Sequence, residues 1–321
     1  MLTRREMLTA AVVAGAALRT RRIRAEPSQP ATRVSFEVPA GACDCHTHIF
    51  PEPAKFPFVA GRVYTPEPAL PEHMSALHKA LGIQRVVIVQ ASVYGTDNSA
   101  TLHGVKARGK DARGVAVIDD KTPESELDAL GSAGFCGIRL NLLTAGITDP
   151  AVGRQRLRDA IARVGKRNWH VQINTSPRMV SAIKDIVASS PLPVVFDHFA
   201  GVQPELGVEQ PGFPDLVDLV RSGKAYVKIS GAYRSSKRAP DYPDMVPFAK
   251  ALIGANLDRI LWGTDWPHPN PGPPPGGKST DVTPLLQIDD GRLMNLIPRW
   301  APDQEIRRKI LVDNPAVLYR F

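Results

Sequence analysis

Cysteines, aromatic residues and long apolar runs are all scarce in this chain of 321 residues. Three cysteines, Cys43, Cys45 and Cys136, are too few for a disulfide framework, and no CxxC pair occurs. That argues against a thiolate metal site and against a stapled secreted scaffold, so the three are read as buried free thiols. No eighteen consecutive apolar residues exist, which excludes an ordinary membrane-spanning helix. The chain also lacks a Gly-rich dinucleotide loop, a GxSxG elbow and an HExxH pair. Gly272 to Ser279 fits GxxxxGKS by letters, but its three prolines remove backbone N–H donors that a phosphate loop needs. What remains is ordinary globular composition, 43% hydrophobic and 22% charged, which excludes wholesale disorder.

The net charge of +8 is concentrated at one end. Residues 1–25 hold six arginines and one glutamate, a local +5, which leaves +3 on the rest. No basic face is therefore expected, and nucleic acid is not an expected partner. Arg4-Arg5 stands ahead of the uncharged stretch Met7 to Leu18, the pattern of a twin-arginine export signal. Residues 1–30 are read as an export signal with a disordered lead-in. The expected partner there is the export machinery and the expected location periplasmic or secreted, with a cytoplasmic location as the alternative.

Beyond residue 40, eight β-rich runs alternate with helical segments. The runs are 41–46, 85–90, 114–118, 137–141, 170–174, 194–198, 225–230 and 260–264. Helices are expected over 70–81, 124–131, 152–167, 178–188, 213–222, 242–255 and 304–312. Such alternation predicts parallel strands with crossover helices, and eight units predict one (β/α)8 TIM barrel over 40–321. The proline-rich stretch Pro269–Gly277 reads as a rim loop. No second domain is expected.

A barrel places its chemistry at the C-terminal strand ends, and the polar residues gather there. The first run ends Asp44-Cys45-His46-Thr47-His48. Alternation along a strand puts His46 and His48 together in the barrel mouth, with Asp44 on the same side. The sixth run ends Asp197-His198, and the eighth leads into Thr264-Asp265-Trp266-Pro267-His268. Three imidazoles and a carboxylate thus converge from three strands. Arg139 ends the fourth run and Arg234 follows the seventh. Arginine recognises carboxylate, sulfonate or phosphate in a planar, bidentate way, so the pair points to a small anionic substrate. Tyr64, Ser92, Asn174 and His268 complete the expected substrate-binding set.

These residues resemble the amidohydrolase superfamily: Asp44-x-His46-x-His48, His198 and Asp265 stand at its signature positions. The chain is more closely similar to its 2-pyrone-4,6-dicarboxylate lactonase group, through DCHTHIF (44–50), YTPEPA (64–69), SVYGTDN (92–98), GIRLN (137–141), VVFDHF (194–199), SGAYR (230–234), LWGTDWPHPN (261–270) and NPAVLY (314–319). The resemblance spans essentially all of residues 42–321. It implies a hydrolase that opens a carboxylated lactone, with Asp265 as general base and His46, His48 and His198 polarising the carbonyl. Metal-dependent members carry a histidine at the fifth strand end, and binuclear ones a lysine or glutamate at the fourth. Here those ends carry Asn174 and Arg139, so the expectation is no metal cofactor. One Zn²⁺ on His46, His48, His198 and Asp265 is the alternative, as in a zinc amidohydrolase or decarboxylase acting on a small carboxylated substrate. The lactone itself, the oligomeric state (a homo-oligomer is compatible), and hydrolysis against isomerisation stay open.

Overall fold

A computed structural model describes residues 26–321. Eight parallel strands form one sheet in chain order: β1 (Cys43–Thr47), β2 (Arg85–Val89), β3 (Ala112–Ala116), β4 (Phe135–Asn141), β5 (His170–Asn174), β6 (Val194–Phe196), β7 (Ala225–Lys228) and β8 (Ile260–Leu261). The segment after β8 closes the ring. Cys45 N donates to Trp262 O, Asp265 N to His46 O and His48 N to Trp266 O, at 2.8–2.9 Å. The expected eight-stranded barrel is therefore present, with seven helices between successive strands: α1 (Pro71–Leu81), α2 (Ser99–Arg108), α3 (Glu124–Ser132), α4 (Pro150–Val164), α5 (Pro177–Ser189), α6 (Phe213–Arg221) and α7 (Val246–Ala255).

Five of these helices, α1, α4, α5, α6 and α7, carry proline in the first turn. Asp149 accepts from Ala151 N ahead of Pro150 in α4. In α5, Met179, Val180, Ile183, Ile186 and Val187 recur at helical spacing and are buried against the sheet. The helix absent from the sequence reading is α2. It turns Ala100, Thr101, Gly104 and Val105 inward, so it has no large apolar stripe to read. It packs close because Gly104 has no Cβ: one there would lie 2.8 Å from Ile49 and 2.9 Å from Ile88.

Inside the ring lies a separate core. Cys43, Cys45, Val87, Val89, Val115, Cys136, Val195 and Leu261 meet Leu318 and Tyr319 from the C-terminal helix Asn314–Tyr319. All three thiols are buried and free, as expected. Among the described residues, no helix is long and apolar enough to cross a membrane.

The export signal lies outside the described residues. Of the lead-in expected to be disordered through residue 30, residues 26–30 are described, and part of them is packed against the barrel. Pro27 and Ser28 are buried, and the Trp266 indole donates to Ser28 O at 3.1 Å. Thr32 N and Oγ1 donate to Asp289 at 3.2 and 2.5 Å, and Ser35 N to Asn295 Oδ1 at 2.7 Å. A polar strap thus ties residues 28–35 to the wall behind Asp265. Deleting residues 1–35 rather than 1–25 is expected to cost about 2–4 kcal/mol, at roughly 1 kcal/mol per lost hydrogen bond. Urea unfolding of the two truncated chains measures this, and equal midpoints would show that the strap contributes nothing.

Candidate active site

A backbone irregularity assembles the first part of the site. Asp44 pairs with Val86 and Thr47 with Ile88, so β1 carries one extra residue against β2 there. Cys45 packs in the inner core, yet His46, the next residue, also faces inward to Lys228 and Asp197. Asp44 faces the other way, a correction to the simple alternation expected for β1. Its carboxylate accepts from Thr264 N at 3.0 Å and from Thr264 Oγ1, and it lies 3.2 Å from His78 Nε2 of α1. Asp44 therefore clamps β1 to the segment after β8 and lies outside the cavity. Gly263 permits that clamp: a Cβ there would come 2.7 Å from His46 N.

The other strand ends bend sharply. His198, Phe199 and Ala200 after β6, and Asp265 and His268 after β8, all have left-handed φ, between 49° and 65°. Non-glycine residues hold this conformation only where surrounding contacts over-determine it. Here it directs two side chains into the mouth. Asp265 Oδ1 lies 3.7 Å from Nε2 of each of His46, His48 and His198. That oxygen is buried and has no hydrogen bond among the described residues. The other oxygen, Oδ2, accepts from Tyr233 Oη at 2.7 Å and from Arg234 Nε. Burial would raise the Asp265 pKa, but Arg234 and then the three histidines hold it well below the usual range.

A second buried carboxylate lies beneath the first. Asp197 Oδ2 accepts from Arg139 Nε at 3.0 Å and Gln172 Nε2 at 3.1 Å; Oδ1 lies 3.1 Å from His46 Nδ1 and 3.4 Å from Lys228 Nζ. Burial would raise its pKa too, and His46, Lys228 and Arg139 outweigh that, so it is held low. The histidines shift the other way. Burial, then the Arg139 charge, lowers His48 to about 3. Burial lowers His198 to about 4 against the pull of Asp265, and it lowers His46 as well. All three are neutral at pH 7, so their pull on the two carboxylates acts only at lower pH, where they are charged.

Neutrality limits what they donate. The His48 Nδ1 faces the Val89 carbonyl at 2.8 Å, and a carbonyl only accepts. The His48 proton is therefore on Nδ1, and Nε2 offers a lone pair to the site. The expected donation from His48 to a substrate carbonyl is corrected on this ground. His198 Nδ1 meets the Ser230 hydroxyl at 2.9 Å, which can donate and leave Nε2–H for the cavity.

A cavity of about 490 Å³ opens above this cluster. His48, Tyr64, Ser92, Arg139, Asn174, His198, Arg234 and Asp265 all line it, whereas His46 is fully buried and is not part of the lining. Among the described residues Arg139 uses only Nε, leaving its two terminal nitrogens for a ligand. Asn174 Oδ1 and Thr175 Oγ1 are buried without partners among the described residues. His268 is not on this wall, a correction to its expected role. It is fully buried behind Tyr233, 3.0 Å from the phenol and 3.0 Å from Asp290. Lys228, Gln172, Tyr233 and Thr175 went unread in the sequence. A lysine in Ala-Tyr-Val-Lys and a glutamine in His-Val-Gln-Ile-Asn carry no motif; only the strand assignment, which ends each near the mouth, pointed to them.

The donor set suits a cation. Bonds of about 2.0–2.1 Å to a tetrahedral zinc place neighbouring ligand atoms roughly 3.3 Å apart. His46 Nε2 and His48 Nε2 are 3.3 Å apart, and Asp265 Oδ1 at 3.7 Å from three nitrogens is the buried, unbonded oxygen such an ion satisfies. Two trios, His46–His48–Asp265 and His46–Asp197–His198, each bring one ligand atom per residue within 4.8 Å of the others.

Known proteins resemble this chain over nearly its whole length. The Amidohydrolase family profile matches residues 43–321. A 2-pyrone-4,6-dicarboxylate hydrolase of Comamonas testosteroni is 36% identical over 304 residues, covering 92% of this chain and 94% of that one. A 4-sulfomuconolactone hydrolase of Hydrogenophaga intermedia is 35% identical over 299 residues, covering 91% and 93%. A crystal structure of a ligand-free Agrobacterium tumefaciens protein superposes with a TM-score of 0.73 at 28% identity, covering 91% of this chain and 98% of that one.

Removing one partner from a buried ion cluster leaves uncompensated charge. Asp197→Asn is therefore expected to cost about 3–5 kcal/mol at pH 7 in urea unfolding. The folded pKa is depressed, so the contribution is fully present above the unfolded value of about 3.9 and fades as pH falls further, through the folded value. A gap between the two proteins that stays constant below about pH 4 would contradict the linkage.

Proposed function

This chain belongs to the amidohydrolase family, and on that footing we propose that it is a hydrolase that opens an anionic, carboxylated lactone resembling 2-pyrone-4,6-dicarboxylate. The observation that carries the proposal is the unbonded Oδ1 of Asp265, facing three neutral imidazoles in a cavity that two arginines also line. Three cations, the buried Arg139 and Lys228 and the half-buried Arg234, face two carboxylates there, so the site has an excess positive charge for an anion. Relatives that hydrolyse 2-pyrone-4,6-dicarboxylate and 4-sulfomuconolactone support the substrate class.

In the proposed reaction Arg139, with Tyr64, Ser92 and Asn174, holds the substrate carboxylates and fixes the ring. Arg234 and Tyr233 hold Asp265 Oδ2, leaving Oδ1 as the basic oxygen. A water between Oδ1 and the lactone carbonyl attacks that carbon, and Oδ1 takes its proton. His198 Nε2–H stabilises the oxyanion; a preorganised donor of this kind contributes roughly 3–4 kcal/mol. The tetrahedral intermediate then collapses, the ring C–O bond breaks, and protonated Asp265 returns its proton to the leaving oxygen. No atom beyond water enters.

One observation favours a second reading for His46, His48, His198 and Asp265: Asp265 Oδ1 lies 3.7 Å from Nε2 of each histidine, and the His46 and His48 nitrogens are 3.3 Å apart. Those four would hold a single Zn²⁺, which when bound supplies Lewis-acid polarisation of the carbonyl or a more acidic water. In that reading the reaction is a zinc-dependent hydrolysis or decarboxylation of a small carboxylated substrate. Arg139 and Arg234 keep their substrate role in both readings.

Asp265→Asn is expected to lower kcat on 2-pyrone-4,6-dicarboxylate by about a thousandfold or more, with KM within a few-fold, because the asparagine cannot accept the water's proton. Near-normal kcat in that variant would remove Asp265 from the base role. Prolonged chelation before the assay separates the two readings: activity that survives supports proton chemistry alone, and activity that vanishes and returns with Zn²⁺ supports the second.

A further inference from the structure

Lys228 lies fully buried at the end of β7, beneath the cavity. Its ammonium meets Gln172 Oε1 at 2.7 Å and His46 Nδ1 at 3.3 Å, and lies 3.4 Å from Asp197 Oδ1. An ammonium carries three protons and no lone pair, so it only donates. Two groups therefore compete for His46 Nδ1. The contact with Lys228 has hydrogen-bond geometry. The 3.1 Å approach of Asp197 Oδ1 does not, and that oxygen makes no hydrogen bond among the described residues. His46 Nδ1 is thus the acceptor, and the His46 proton lies on Nε2.

The rest of the chain of contacts agrees. His46 Nε2 is 3.3 Å from His48 Nε2, which carries the lone pair left when His48 Nδ1 donates to Val89 O. Lys228 donates to His46, His46 to His48, and His48 to Val89. Every proton points one way, and no lone pair faces another.

We infer that Lys228 locks the His46 tautomer and thereby holds the His46–His48–His198–Asp265 cluster in a form with low affinity for divalent metals. A metal on His46 Nε2 needs that nitrogen bare. The proton then has to move to Nδ1, where it faces the lysine ammonium. Without the ammonium, the nearest acceptor for Nδ1–H is Asp197 Oδ1, 3.1 Å away, reached once the imidazole turns into line with it. That is the carboxylate–histidine pairing which supports metal-ligating histidines elsewhere. One buried lysine thus decides whether the same four side chains run proton chemistry or hold an ion. This does not depend on which lactone is turned over, or on whether one is.

The test is Zn²⁺ affinity of the full chain, read by competition with a chromophoric chelator rather than by activity. Lys228→Met keeps the unbranched stem and removes the charge. It is expected to bind one Zn²⁺ about 10–100-fold more tightly than the unaltered protein, the range set by other changes to groups that orient metal ligands. The gain should disappear in the double variant Lys228→Met, His46→Ala. Equal affinity before and after Lys228→Met, or a gain that survives loss of His46, overturns the inference. A readout on the unaltered chain covers a variant that fails to fold: ¹⁵N shifts of His46 are expected to show a bare Nδ1 and a protonated Nε2, and the opposite pattern refutes the lock.

Discussion

Two carboxylates buried side by side at the mouth of one barrel impose the main constraint on this molecule. Asp197 and Asp265 are both out of water, and neither is tolerable there as an ion without cations within contact distance. The fold supplies Arg139 from β4 and Lys228 from β7 to the first, and Arg234, from the turn after β7, to the second. Those cations hold the carboxylates ionised, while burial holds the imidazoles between them neutral. A strong local field with fixed protons results, in a cavity whose walls are already organised before any ligand arrives.

The architecture explains how separate stretches of chain reach one point. Parallel strands deliver their C-terminal ends to the same face, and sharp left-handed turns after β6 and β8 swing His198 and Asp265 inward. The extra residue in β1 turns His46 inward directly after Cys45 and releases Asp44 to clamp the barrel seam. Behind Asp265, Tyr233, His268 and Asp290 form a buried hydrogen-bonded row that fixes the Oδ2 side of the carboxylate. The strap of residues 28–35 packs against the wall that carries this row. Supporting contacts of this kind hold a basic oxygen in place, and a misplacement of about 1 Å can cost roughly a hundredfold in rate.

Much of this was legible in the sequence, and the exceptions have physical causes. The eight β-rich runs fall on the eight observed strands because parallel barrel strands are buried on both faces and read as short apolar blocks. His46, His48, His198, Asp265, Arg139, Arg234, Tyr64, Ser92 and Asn174 were readable because they sit at the ends of those blocks or on the segments that follow them. Helix α2 was not, since it packs through Gly104 and alanine instead of an apolar stripe. Nor was the inward turn of His46 with Asp44 outside: a bulge breaks period-two alternation without changing composition. Lys228 was hidden because a single lysine at a strand end usually reaches solvent, and only three-dimensional contact reveals Asp197, Gln172 and His46 around it. His268 sits in the same motif as Asp265 and was placed in the cavity by proximity alone, whereas its backbone turn carries it behind Tyr233.

The central claim is that water, activated by Asp265, adds to a lactone carbonyl in this cavity and opens the ring. The most direct measurement is a turnover of 2-pyrone-4,6-dicarboxylate in H₂¹⁸O, with mass analysis of the product. The account predicts an open-chain acid carrying one heavy oxygen in the newly formed carboxylate. A product that is still a lactone, or that has lost CO₂ without gaining the label, would contradict it.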